Sequence, residues 1–215
     1  MRTTKLTNLI SLLLFTAYSL YVVLSGQANL FFIIYLFFLD EVIKNIFIAI
    51  KSMRFKALGI DTRAANSAIR ARFFMLFVYS IFIVIVFGLF YGLLNTSINE
   101  FTRNLMIFLF KDIYFNISVS IIILRESINL FIDLNKAKKE DFMIIPINSN
   151  IFILHLSIIF GGVMWFLTSG KFEYFHLSFG VYNQVAIIFP FIIIKFLFDL
   201  HALKKNDNTN AETAY

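Results

Sequence analysis

Charged residues in the middle of a long apolar run are the residues of this sequence whose types and spacing could perform chemistry. Asp40 and Glu41 are adjacent and Lys44 follows within one helical turn, inside the apolar run from Asn29 to Ile50. Asp40 lies about 15 Å from each end of that run. A charge at the centre of a membrane helix costs about 2.5–3.5 kcal/mol, so it persists where it pairs, faces protein or has a function. Since one lysine cannot neutralise two acids, the surplus acid must be protonated, paired with another helix or bound to a cation.

A second polar stripe follows the apolar run from Leu105 to Phe131. Lys111 and Asp112 are expected about 10 Å in from the outer end of this helix. Arg125 and Glu126 form a self-neutral pair that is expected to reach the inner interface, where long side chains extend toward the headgroups. In the last apolar run, Lys195 and Asp199 are spaced i,i+4 and can pair on one helix face.

His155 lies alone in a fifth apolar run. A lone histidine in a membrane helix is usually a hydrogen-bonded structural residue, and otherwise a proton carrier or ligand. Convergence of His155 with Asp40 and Asp199 would suit zinc or manganese, but no ligand-pair spacing such as HxxxH or ExxH supports a metal, and we predict no cofactor. The predicted polar centre, a site for an ion or proton, consists of Asp40, Glu41, Lys44, Lys111, Asp112, His155, Lys195 and Asp199.

The elements that must position these residues are membrane helices. The chain is 60% hydrophobic and 15% charged, with a mean hydropathy of +0.82, and a soluble domain needs more polar surface than that. Stretches of about 20 apolar residues predict an all-α polytopic bundle of six transmembrane helices in a single domain over residues 1–205, with a disordered tail at 206–215. The predicted spans are 6–24, 29–50, 73–94, 105–131, 148–169 and 181–203.

The basic residues outside these spans are strongly one-sided. Arg103 and Lys171 lie on one side, whereas the other side holds Arg2, Lys5, Lys51, Arg54, Lys56, Arg63, Arg70, Arg72, Lys136, Lys138, Lys139, Lys204 and Lys205. This split predicts that both termini face the cytoplasm and that the protein lies in a prokaryotic cytoplasmic membrane. The net charge of +6 is expected to serve binding to anionic lipid headgroups, which the helical loop from Lys51 to Arg72 would contact. No nucleic-acid partner is expected.

Several protein classes find no support in the sequence. Without cysteine the chain has no disulfide, thiolate metal site or iron–sulfur cluster, and it has no GxSxG, HExxH or intramembrane protease motif. Cleavage of the first span as a signal peptide after Gly26-Gln27-Ala28 is a minor alternative, because its apolar stretch is longer than usual. Gly88 with Gly92, and Gly161 with Gly162, favour close helix packing within the fold or, less readily, in a homodimer.

The buried charges favour three functions. Apart from His155, the ionisable residues within spans lie on the second, fourth and sixth helices, which run in the same direction and are expected to meet in a polar core. The leading hypothesis is a small transporter or channel in which Asp40 or Glu41 binds a cation or proton and Lys44 or Lys195 is the alternating partner. The alternatives are a non-transporting scaffold or accessory subunit with structural ion pairs, and an intramembrane enzyme or metal protein.

Three segments resemble a family of uncharacterised multi-pass prokaryotic membrane proteins, known as a domain of unknown function. They are Phe37-Phe38-Leu39-Asp40-Glu41 with Lys51, Leu154-His155 followed by hydrophobic residues and Gly161-Gly162, and Lys195 with Asp199-Leu200. The chain departs from the family pattern at Asp40, where the family has Glu, and at Glu41, where it has Asn. The resemblance implies no activity, but it indicates the same residues: Asp40, His155, Lys195 and Asp199.

Overall fold

A computed structural model describes residues 2–90, 98–135, 149–168 and 183–212 of the chain. Within them the fold is all-α, as the sequence predicted. The helices are α1 (Arg2–Leu24), α2 (Leu30–Ala57), α3 (Arg63–Phe82), a π-helical continuation of α3 (Ile83–Phe90), α4 (Ile98–Phe108), α5 (Ile113–Asn135), α6 (Ser149–Thr168) and α7 (Asn183–Glu212).

Helix α2 is the central element of the bundle. Every residue from Leu30 to Phe38 is buried, and the helix contacts α3, α5, α6 and α7. Its capping residue Asn29 accepts a hydrogen bond from the backbone N–H of Phe32 at 2.9 Å and donates one to Asn104 at 2.7 Å, which attaches α4 to the start of α2. Helices α2 and α5 run parallel, because three contacts follow one another along the pair: Phe32 with Phe115, Asp40 with Arg125, and Lys51 with Asp133.

The predicted fourth span is interrupted, which corrects the sequence analysis. The chain leaves helical structure at Leu109 and resumes at Ile113. Two hydrogen bonds, from Phe110 N–H to the Ile107 carbonyl at 3.1 Å and from Lys111 N–H to the Met106 carbonyl at 2.8 Å, close the end of α4. This is the Schellman pattern, which places one residue in the left-handed region. That residue is Phe110, with φ of 56°.

The same closing pattern ends α1 and α2, where glycines occupy the left-handed position. Gly26 has φ of 71° and Gly59 has φ of 80°, and each is flanked by the same pair of backbone hydrogen bonds. A left-handed conformation costs a side-chain-bearing residue about 1–2 kcal/mol. The break after α4 was therefore missed because the residue there is phenylalanine instead of the glycine that usually marks a helix end.

The segment from Lys51 to Arg72, predicted as a cytoplasmic helix, is the end of α2, a turn and the start of α3. In the turn, the Arg63 side chain donates hydrogen bonds to the exposed Asp61 carboxylate and lowers the pKa of Asp61 to about 2. Near the other end of this hairpin, Gly88 lies against the Phe31 ring, since a Cβ added at Gly88 would be 3.3 Å from Phe31 Cε2.

The other glycine positions give a mixed result. An added Cβ at Gly162 would meet no atom within 4 Å, so the close packing predicted there is not observed within the described residues. Gly92, the partner of Gly88 in the predicted motif, lies outside them. The disordered tail predicted from residue 206 also differs from the structure, where α7 continues to Glu212; extending an existing helix costs far less than nucleating one.

Two described segments are long and apolar enough to cross a membrane: Arg63–Gly88 and Phe101–Leu134, the second of which contains the break. Leu9–Leu24 is a shorter apolar helix. Helix α2 is also long, but three charged residues, Asp40, Glu41 and Lys44, interrupt its most apolar stretch. By length and composition the chain is therefore suited to membrane association.

Candidate functional site

The charges of the three polar helices meet at Asp40, whose side chain is completely buried. Its carboxylate contacts Lys44 of α2 at 2.9 Å, Arg125 of α5 at 2.6 Å and Lys195 of α7 at 2.7 Å. The Oδ1 atom accepts from Arg125, and Oδ2 faces both lysines. As expected from the sequence, helices two, four and six of the predicted topology converge on one polar core.

Each of these cations also contacts an acid on its own helix. Lys44 is 3.1 Å from Glu41, Arg125 is 2.9 Å from Glu126, and Lys195 is 3.2 Å from Asp199. These three pairs are intrahelical, so among these four acids Asp40 is the one whose ion pairs join different helices. The charged cluster is defined by the following residues: Asp40, Glu41, Lys44, Arg72, Arg125, Glu126, Lys195 and Asp199.

Arg72 completes the charge balance of the cluster. It lies on α3, is 5% exposed, and interacts electrostatically with Glu41. The ion pairs of the cluster join four carboxylates to three cations, and Arg72 is a fourth positive charge that acts on Glu41 at longer range. The surplus acid inferred from α2 alone is thus compensated by cations on other helices, which is the second of the three outcomes that the sequence left open.

Aromatic rings cover two of the cations. Lys195 Nζ lies 5.3 Å from the centroid of the Phe37 ring, and the Arg125 guanidinium lies 5.8 Å from that of Phe15 on α1. The negative face of an aromatic ring attracts a cation at such distances. Because Phe37 and Phe15 are themselves buried, these rings separate the cluster from the surroundings of the bundle.

A small cavity adjoins the cluster between α1 and α7. Its volume of about 10 Å³ is close to the smallest that holds one water molecule. Ser19 Oγ and Asp199 Oδ2 line it, and neither atom has a hydrogen-bond partner among the described residues. The contact of Asp199 with Lys195 at 3.2 Å is therefore ionic without favourable hydrogen-bond geometry. Two buried polar atoms with unused hydrogen-bonding capacity make this cavity suitable for a water molecule.

The structure places two of the predicted site residues, Lys111 and Asp112, at the break between α4 and α5. Lys111 is exposed, and Asp112 caps α5 by accepting a hydrogen bond from the backbone N–H of Phe115 at 2.8 Å. Thirteen residues separate Asp112 from Arg125, which is about 20 Å along the helix. Both residues therefore lie outside the charged cluster, because the helix that was predicted to carry them inward starts at Ile113.

The hydrogen-bond partner of His155 is outside the charged cluster. His155 is exposed on α6, and its Nδ1 is 3.2 Å from the hydroxyl of Tyr79 on α3. This hydrogen-bonded arrangement matches the structural role weighed for a lone histidine. No group of three or more His, Cys, Asp or Glu side chains within the described residues is arranged to hold a metal ion.

Three members of the cluster were absent from the predicted site: Arg72, Arg125 and Glu126. Arg125 and Glu126 were placed at the inner interface, because the predicted span began at Leu105. Once the helix starts at Ile113, Arg125 is its thirteenth residue of 23 and lies at mid-helix. The signal that could have corrected this was Asp112 followed by an apolar run, a common helix start.

Comparison with known families assigns the chain to a group without a known activity. A family model described as "Family of unknown function (DUF6498)" matches residues 2–214. The match covers nearly the whole chain, so the chain belongs to this family, and the predicted resemblance to an uncharacterised family is confirmed. No curated protein and no solved structure matches the chain.

Proposed function

We propose that this member of the family is a six-span protein of the prokaryotic cytoplasmic membrane whose charged cluster holds three helices together. The outward faces of the apolar segments support the membrane assignment. Only 28% of the most apolar window is buried within the bundle in Arg63–Gly88 and in Phe101–Leu134. Large apolar side chains on these segments, such as Phe74 and Phe131 at 69% exposure each, need a lipid cover.

Helix directions support the proposed orientation with both termini in the cytoplasm. Helix α1 runs antiparallel to α5, because Tyr18 approaches Tyr114 while Phe15 approaches Arg125. Since α5 is parallel to α2, the start of α1 and the turn after α2 lie at one end of the bundle. Both segments are rich in basic residues, in agreement with the preference of such loops for the cytoplasmic side.

The three cations around Asp40 are the observation that carries the proposed role. An isolated buried carboxylate is prohibitively costly, whereas one that is fully paired and hydrogen-bonded is tolerated. A transport site must release an ion or proton into an accessible space, but both oxygens of Asp40 are occupied by cations from three helices. A non-transporting scaffold or accessory subunit with structural ion pairs is therefore the function that the geometry favours.

A proton-coupled carrier is the second candidate, favoured by the cavity beside Lys195. A water molecule in that cavity would contact Ser19 and Asp199 and would form the first step of a proton path toward Asp40. The intramembrane enzyme considered from the sequence has no comparable support, because His155 is hydrogen-bonded to Tyr79 and forms no metal-holding group with carboxylates within the described residues.

Reconstituted vesicles distinguish the two candidates. The purified protein is placed in liposomes that contain a pH-sensitive dye, and proton flux is driven by a potassium diffusion potential. The scaffold role predicts that wild-type vesicles acidify no faster than protein-free vesicles. A flux in the wild type that disappears in Asp40→Asn, with unchanged unfolding of that variant, would establish the carrier instead. Asp61→Asn, at an exposed ion pair outside the cluster, is the matched control.

A further inference from the structure

A basic groove lies at the end of the α2–α3 hairpin, and its residue Met53 is about 20 Å from Asp40 along α2. Its volume is about 660 Å³, within the range of about 300–1,000 Å³ typical of small-molecule sites. The end of α2 supplies one wall and the start of α3 the other. The lining residues are Ala49, Ser52, Met53, Lys56, Arg63, Asn66, Ile69 and Arg70.

The groove lining carries three cations and no acid. Arg63 is paired with Asp61 at 2.8 Å. Lys56 and Arg70 are exposed and make no ion pair with any described residue. Two cations without an acidic partner, on facing helices, attract a ligand with at least one negative charge.

The remaining lining residues narrow the ligand class. Ser52 donates a hydrogen bond to the Asn66 side-chain oxygen at 2.7 Å, and the Asn66 amide donates to Thr62 at 3.3 Å, so the polar wall is ordered by its own contacts. Phosphate oxygens accept hydrogen bonds from arginine and lysine side chains particularly well. On the other side, Met53 is apolar and 70% exposed, which suits an acyl chain.

From these features we propose that the groove binds the phosphate of an anionic phospholipid, with Lys56 and Arg70 contacting the headgroup and Met53 the adjoining acyl chain. The sequence predicted contact between lipid headgroups and residues 51–72, and the groove gives that contact a defined position. The proposed lipid site does not depend on the role of the charged cluster. An anionic lipid bound there would fasten the basic end of the hairpin to the cytoplasmic leaflet.

Native mass spectrometry of the detergent-solubilised protein tests the proposal. Phosphatidylglycerol and phosphatidylcholine are titrated against the wild type, the double variant Lys56→Gln/Arg70→Gln and the control Arg54→Gln. Arg54 is an exposed cation on the same helix that does not line the groove. Each removed cation is expected to weaken phosphatidylglycerol binding about fivefold, and the double variant about 25-fold, while Arg54→Gln binds as the wild type does.

Three results would overturn this assignment. Equal weakening by the double variant and by Arg54→Gln would mean that the surface attracts anions without a site. Equal retention of phosphatidylcholine and phosphatidylglycerol would exclude recognition of net charge. An arm with inorganic phosphate separates the two phosphate sources: phosphate that displaces phosphatidylglycerol at equal molar concentration would assign the groove to a soluble phosphate ligand.

Discussion

Replacement of Asp40 by asparagine should destabilise the protein more than the same carboxylate-to-amide change at any other acid of the charged cluster. Asp40 forms ion pairs with cations on three helices, and an amide oxygen has the capacity to keep about one of these interactions. A hydrogen bond to a charged group contributes about 1.5–3 kcal/mol. Because the substitution breaks the other two, we expect the free energy of unfolding to fall by about 3–5 kcal/mol.

The other three acids provide the internal comparison. Glu41, Glu126 and Asp199 each contact a cation on their own helix. Their replacement by Gln or Asn removes one intrahelical ion pair, and the cation of that pair keeps Asp40 as its partner; Glu41→Gln also removes the longer-range interaction with Arg72. We therefore expect the free energy of unfolding to fall by about 1–2 kcal/mol for each.

The assay is unfolding in mixed micelles with increasing sodium dodecyl sulfate, followed by far-ultraviolet circular dichroism. The four single variants are compared with the wild type at one ionic strength, because the cluster is buried and salt should screen it little. A destabilisation by Asp40→Asn no greater than that by Glu41→Gln, Glu126→Gln and Asp199→Asn would refute the reasoning, since it would show that ion pairs between helices contribute no more than ion pairs within them.

Three further outcomes follow from the backbone and the turn. Phe110→Gly should be more stable than Phe110→Ala by about 1 kcal/mol in the same unfolding assay, because both lack the ring but only glycine relieves the left-handed conformation; the reverse order would show that this position is helical. Gly88→Leu should lower the free energy of unfolding by about 1–3 kcal/mol, because the larger side chain overpacks the contact with α2. Gly162→Ala should instead stabilise α6 by up to about 1 kcal/mol. Destabilisation by Gly162→Ala would reveal a packing partner on that face of α6. The lowered pKa of Asp61 stabilises the turn above the ordinary value of 3.8, an effect that is lost as the pH falls toward about 2; carboxyl carbon chemical shifts should titrate there, and Arg63→Gln should return the midpoint to about 4.

The convergence of three helices was predictable because charge in an apolar run carries strong information. Asp40, Lys195 and Asp199 are too costly to face lipid, so their helices had to turn these residues toward one another. Continuous apolar runs also predicted helices at α1, α2, α6 and α7, although α2 ends seven residues and α7 nine residues beyond the predicted spans. Whether all of these helices span the membrane stays a prediction.

The start of α5, and therefore the depth of Arg125, could not be predicted from the sequence in the same way. The run from Leu105 to Phe131 is continuous in hydropathy, and a break within it depends on Phe110 adopting a conformation that phenylalanine rarely takes. The break moves the start of the helix by eight residues, which brings Arg125 from the expected interface to the depth of Asp40 and leaves Lys111 outside the core. One unusual backbone angle therefore changed the assignments of both residues.

The balance of charge shows what counting within a single helix leaves out. Within α2, two acids face one lysine, and the excess favoured an ion or proton site. Arg125 and Lys195 come from helices that are distant in sequence and reach Asp40 only after the fold is complete. Compensation of this kind leaves no local sequence pattern, because the residues that neutralise Asp40 each already have an acid beside them on their own helix. An unbalanced charge within one span is thus evidence for contact with another span before it is evidence for transport.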